Sequence, residues 1–179
     1  MRLEIQEYNP EELEARRLRD ELDLIYTVGN TNPALCRIPV AVEPANLLMN
    51  QDNPLAKHGE ITAETLSEQT FLISSMQPLP DEDRAQIAAY LGHPPRYHIY
   101  QGTFEQGLEH VRSNEGILFC GVSYCIFGKV QDIAVIPFPD RCTYFRHFLD
   151  SKKGRKLPEP VRCLLDECRT LSDRLSAHH

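Results

Sequence analysis

Short apolar runs alternate with helix-patterned stretches along most of this chain. "RDELDLIYTVGN" (Arg19–Asn30) shows the rhythm: charged residues, then Leu24 to Val28, then Gly29 and Asn30 as a stop. "FLISS", "RYHIYQ", "ILFCGVS", "DIAVIPF" and "TYFRHFL" repeat the strand-like run. Between them lie segments with helix punctuation. "NPEELEARRLRDEL" offers Asn9 as N-cap, Pro10 at the first helical position, and Glu11 and Glu12 near the positive helix start. "PDEDRAQIAAYLGHPP" opens on acids and closes at Gly92. "TFEQGLEHVRSNEG" starts at Thr103 and places Phe104, Leu108 and Val111 on one face. Leu3 and Ile5 alternate with polar residues and predict a strand before the first helix. Strand, helix, strand in that order predicts a parallel pair with a crossover. The class expected is α/β with a largely parallel sheet, or two such sheets.

Charge and composition remove several functions. The 179 residues carry a net charge of −7 and are 41% hydrophobic, enough for an ordinary core. Nucleic-acid affinity needs clustered Lys and Arg, and the only cationic cluster, "SKKGRK" (Ser151–Lys156), reads as a solvated turn. No apolar run approaches the ~20 residues of a membrane helix. The N-terminus has no signal-peptide core, so a cytoplasmic location is expected. Six cysteines (Cys36, Cys120, Cys125, Cys142, Cys163 and Cys168) form no CxxC pair, which argues for reduced thiols and against zinc. His58, His93, His98, His110 and His147 suit no metal spacing, and the closing "AHH" reads as a tag remnant. GxSxG, P-loop, HExxH and GxGxxG motifs are all missing. No catalytic residue, metal or cofactor is expected.

Three polar strand ends remain: Thr27–Asn30, Ser74–Gln77 and Gln101–Thr103. Loops leaving strand ends are where ligands sit in open α/β sheets. Backbone N–H groups at a helix start, flanked by small hydroxyls, suit an anionic or polar ligand. Ordinary turns and helix caps would look the same.

The order of the segments resembles the effector-binding domain of LysR-type transcriptional regulators. "PEELEARRLRDELDLIYTVG" resembles the family's helix and following strand. "NPLAKHGEITAETLSEQTFLIS" resembles its "HPLA…I…L…PFI" stretch, with Asn53 where His is common. "EHVRSNEGILFCGVS" keeps part of its "V..G.GI.LLP" segment through Glu115–Gly116–Ile117. The remainder, from "DIAVIPFPD" onward, resembles the closing stretch. The resemblance implies a type 2 periplasmic-binding-protein-like fold: two Rossmann-like lobes joined by two crossover strands, with a small molecule held between them. Lobe I would comprise residues 1–43 and 146–179, and lobe II residues 44–145. The first strand and helix of lobe I would be missing, and with them half of its ligand site; the chain would then be a truncated product or a subunit completed by pairing with another copy, and a homodimer is expected. Matching the family's strand ends, the implied ligand contacts are Thr27, Val28, Gly29, Asn30, Ser74, Ser75, Met76, Thr103, Gly121 and Val122.

The implied function is a ligand-sensing regulatory domain without enzymatic activity. Its partner would be a small anionic metabolite, and DNA would be reached only through a module not in this chain. Alternatives are a thiol-based redox sensor using Cys120 and Cys125, or a solute-binding protein of the same fold.

Overall fold

The computed structural model describes residues 4–28, 35–58, 60–127, 130–139, 144–154 and 156–176. In chain order its elements are α1 (Pro10–Leu18), β1 (Ile25–Val28), β2 (Leu35–Asn50), α2 (Pro54–His58), α3 (Ala63–Ser67), β3 (Thr70–Ser74) and α4 (Asp81–Leu91). There follow β4 (Arg96–Tyr100), α5 (Phe104–Arg112), β5 (Leu118–Gly121), α6 (Val122–Phe127), β6 (Ile133–Pro137), β7 (Tyr144–Lys152) and α7 (Glu159–Ser176). They divide into two compact units, Met1–Val42 with Arg146–His179, and Glu43–Phe145. None of the described helices is long and apolar enough to cross a membrane.

In the first unit, Asn9 caps α1 by accepting from the Glu12 amide at 2.8 Å. Pro10 takes the first position, as the sequence predicts. The helix stops sooner than its charge pattern suggests. Arg19 is its C-cap and Asp20 adopts a left-handed φ of 58°. Leu18 is consequently exposed. Two expectations are corrected here. Glu4 to Asn9 form no strand, with Ile5 exposed. β1 pairs antiparallel with β7, Ile25 opposite Asp150 and Val28 opposite His147. Two alternating apolar residues make a weak strand signal, and the partner of β1 lies about 120 residues downstream, beyond what local pattern reports.

At the centre of this pairing is a buried carboxylate. Asp150 is fully buried and takes both ends of the Arg37 guanidinium, Nε to Oδ1 and Nη2 to Oδ2, each at 3.0 Å. The Thr27 hydroxyl donates to Oδ2 at 2.7 Å. Arg37 also lies over the Phe148 ring, 4.1 Å from its centroid. The bidentate fork compensates a carboxylate that would otherwise be buried without a partner.

The second unit is built on two pairing modes. β3 and β4 are parallel, Thr70 opposite Arg96 through Ser74 opposite Tyr100. Ile117 extends the ladder from the other side of β3, its amide donating to Thr70 O at 2.9 Å. α4 is the crossover from β3 to β4, and α5 leads from β4 to β5. β2 instead pairs antiparallel with both β5 and β6. The largely parallel sheet expected from the strand and helix order is thus confined to β3, β4 and Ile117. β2 carries Leu47, Leu48 and Met49 at 0% exposure, because both faces of the sheet are covered. Successive side chains divide between two cores. Leu47, Met49, Phe71, Ile87, Ile117, Phe119 and Phe138 fill one. Leu48, Leu72, Tyr100, Leu108, Val111, Leu118 and Cys120 fill the other. Phe71 stacks on Phe119 with ring centroids 5.3 Å apart.

Candidate functional site

The parallel pairing of β3 with β4 brings two of the three polar strand ends together. Ser74 closes β3 and is buried. Its hydroxyl donates to Gly102 O at 2.5 Å and accepts from the Met76 and Gln77 amides at 3.0 and 3.3 Å. A serine hydroxyl has one proton and two lone pairs, so these bonds use all of it. Ser74 is the clasp between the two strand ends. Ser75 donates its amide to Tyr100 O at 2.9 Å and its hydroxyl to Gln101 Oε1 at 2.9 Å.

Gly102 then turns the chain with φ 139°, where a Cβ would also collide with the Gln106 amide group. Thr103 follows as N-cap of α5, its amide donating to Gln106 Oε1 at 2.8 Å. α5 thus begins directly after the Gly102 turn that Ser74 holds, and its first turn carries backbone N–H groups without intrahelical partners. Beneath it, Tyr100 is buried, with its hydroxyl against Gly107 and no hydrogen-bond partner. Burial raises the Tyr100 pKa.

The next strand end is different. At Gly121, where β5 passes into α6, the Glu43 carboxylate occupies the space a Cβ would take. Glu43 accepts from the Ser123 amide at 2.6 Å and from the Ser123 hydroxyl at 2.9 Å. The protein's own carboxylate therefore already sits at the donors of this strand end. Val122 opens α6, and its side chain lies outside the described residues. Tyr124 joins this end to α5: its ring packs edge-on against Phe104 at 4.3 Å, and its hydroxyl donates to Glu105 at 3.3 Å. Burial, then the charge of Glu105, push the Tyr124 pKa up to about 12.

Of the first unit's four expected contacts, Gly29 and Asn30 lie outside the described residues. Val28 pairs with His147, and Thr27 gives its hydroxyl proton to Asp150. Thr27 thus serves the buried network. Sequence reasoning missed Glu43, Ser123 and Tyr124. The available signal for Glu43 was a lone charge inside the mostly apolar run "IPVAVEPANLLM". No group of three or more metal-binding side chains stands together among the described residues.

The family described as LysR substrate binding domain matches residues 1–173. Solved structures share the fold. The regulatory domain of CcmR from Synechocystis PCC6803, in complex with 2-PG, superposes with a TM-score of 0.72 at 17% identity, over 92% of this chain and 80% of that one. The effector binding domain of QuiR in complex with shikimate gives 0.74 at 14% identity, over 93% and 79%. The BenM effector binding domain with its effector benzoate gives 0.74 at 15% identity, over 98% and 80%. No curated protein matches the chain by sequence. The mixed sheets and flanking helices are those of the periplasmic-binding-protein-like fold. With a family match running through all but the last six residues, the chain belongs to the LysR substrate-binding domains, the regulatory portion of LysR-type transcription regulators.

Proposed function

We propose that this chain senses a small carboxylate-bearing metabolite and acts as a binding module without enzymatic activity. The effector's anionic group rests at the joined ends of β3 and β4, against Ser75, Met76 and Thr103 and the first turn of α5. A DNA-binding module outside these residues reads out the response, since a ligand shifts a two-state regulator by its differential affinity for the two states.

The observation that carries this reading is the joined strand end itself. Its Ser74 clasp fixes two polar strand termini beside the amides of a nine-residue helix, an arrangement suited to an anion. The choice of a carboxylate is supported by the complexes above: shikimate and benzoate are both carboxylates, bound by domains of the same fold. Glu43 supports the choice of end. Its carboxylate occupies the donors at Ser123, so a second anion is repelled from the β5 terminus and favoured at the β3–β4 terminus.

The test is a thermal-shift screen of carboxylates, including shikimate and benzoate, with matched neutral amides as controls. A carboxylate that raises Tm in a saturable manner while its amide does not is the expected result. Uniform absence of a shift across the carboxylates contradicts the reading.

A further inference from the structure

Two thiols face each other at the β5–α6 junction. Cys120 is buried on β5 and Cys125 half-buried on α6, and their Sγ atoms lie 3.2 Å apart. Asn46 and Gly121 flank the pair. Cys120 stands opposite Asn46 in the β2–β5 ladder. The Asn46 side chain reaches Cys125 Sγ at 3.7 Å, and the Cys125 thiol faces Gly121 O, also at 3.7 Å. A disulfide bond of about 2.05 Å requires the sulfurs to close by roughly 1 Å. We propose that Cys120 and Cys125 form a reversible intramolecular disulfide in exchange with low-molecular-weight disulfides.

The burial difference assigns the roles. Cys125 is the more accessible thiol and meets the reagent first. Burial, with Cys125 and Glu43 adding to it, raises the pKa of the Cys120 thiol and disfavours its independent reaction. In the first step the Cys125 thiolate attacks one sulfur of the small disulfide. A Cys125 mixed disulfide forms, and one thiolate leaves with the electron pair of the broken S–S bond and takes up a proton. In the second step Cys120 gives up its proton and attacks Cys125 Sγ, expelling the second small thiolate. Two protein S–H groups are oxidised, and one small disulfide is reduced to two thiols. The end of β5 at Gly121 is thereby tied to α6. This inference stands apart from the carboxylate-binding reading.

The experiment treats the reduced full chain with oxidised glutathione and maps its peptides by mass spectrometry. Exposed Cys36 and Cys163 report that the reagent is active. The expected product is a peptide cross-linked between Cys120 and Cys125, lighter by two hydrogens and restored by dithiothreitol. In Cys120→Ser, glutathione persists on Cys125; in Cys125→Ser, Cys120 stays free. A stable glutathione adduct on Cys125 of the unsubstituted chain would overturn the proposal. So would two free thiols at Cys120 and Cys125 while Cys36 and Cys163 are modified.

Discussion

At the scale of single residues, the most consequential group outside the strand ends is Asp150. It has no exposure, and Arg37 supplies both of its charge-assisted contacts. Removing one partner of a buried pair leaves a charge without compensation, at about 3–5 kcal/mol. Arg37→Ala is therefore expected to lower the unfolding free energy by about that amount, measured in urea. A loss no larger than that of an exposed arginine, such as Arg19→Ala, would show that the pair is solvated. Tyr100 gives the opposite sign. Its buried hydroxyl lacks a partner, so Tyr100→Phe removes a desolvation cost and should leave stability unchanged or raise it by about 1 kcal/mol. Gly107→Ala drives a Cβ into that same hydroxyl and is expected to destabilise. The double variant Tyr100→Phe with Gly107→Ala should recover part of the loss, which a thermal melt can read.

Elements differ in how openly the sequence declares them. α1, α4 and α5 are legible because their signals are local: Asn9 and Pro10 at one start, Gly92 with φ 78° at one end, and Thr103 before the apolar stripe of α5. α6 is illegible for a matching reason. "VSYCIF" has no acid in its first turn, and it continues the apolar run of β5. β2 reads as extended from Ile38, but its antiparallel partners β5 and β6 lie some seventy to ninety residues away. Pairing direction is a long-range property that period-two alternation does not encode. The joined end of β3 and β4 was legible as polar strand ends. That Ser74 is a clasp and Glu43 an internal anion was not, since both depend on tertiary contacts.

The contact between α5 and α6 has a pH signature of its own. Tyr124 ionises near 12 in the fold, against 10.0 for an ordinary tyrosine. A raised folded pKa means the contribution to stability is fully present below about pH 10 and is lost as pH rises towards 12. Wild type should therefore lose stability across that window more steeply than Tyr124→Phe. Equal slopes would show that Tyr124 ionises as in the unfolded chain.

On the scale of the whole molecule, each unit is organised around its own buried group: a polar network at Asp150 in one, and an aromatic stack at Phe71 in the other. Phe71 is fully buried between Phe119 and Tyr97. Phe71→Ala should cost about 3–5 kcal/mol and unfold the Glu43–Phe145 unit first. Hydrogen exchange would then report lost protection in β3, β4 and β5 while β1 and β7 remain protected.

In the function proposed above, the joined ends of β3 and β4 take a carboxylate. Amide chemical-shift mapping in a titration with benzoate, or with the best carboxylate from the thermal screen, tests it most directly. Saturable shifts concentrated at Ser75, Met76 and Gly102 to Glu105 are expected, with little change at Ser123, where Glu43 already holds the donors. Shifts that leave the β3–β4 end untouched and gather elsewhere would contradict it.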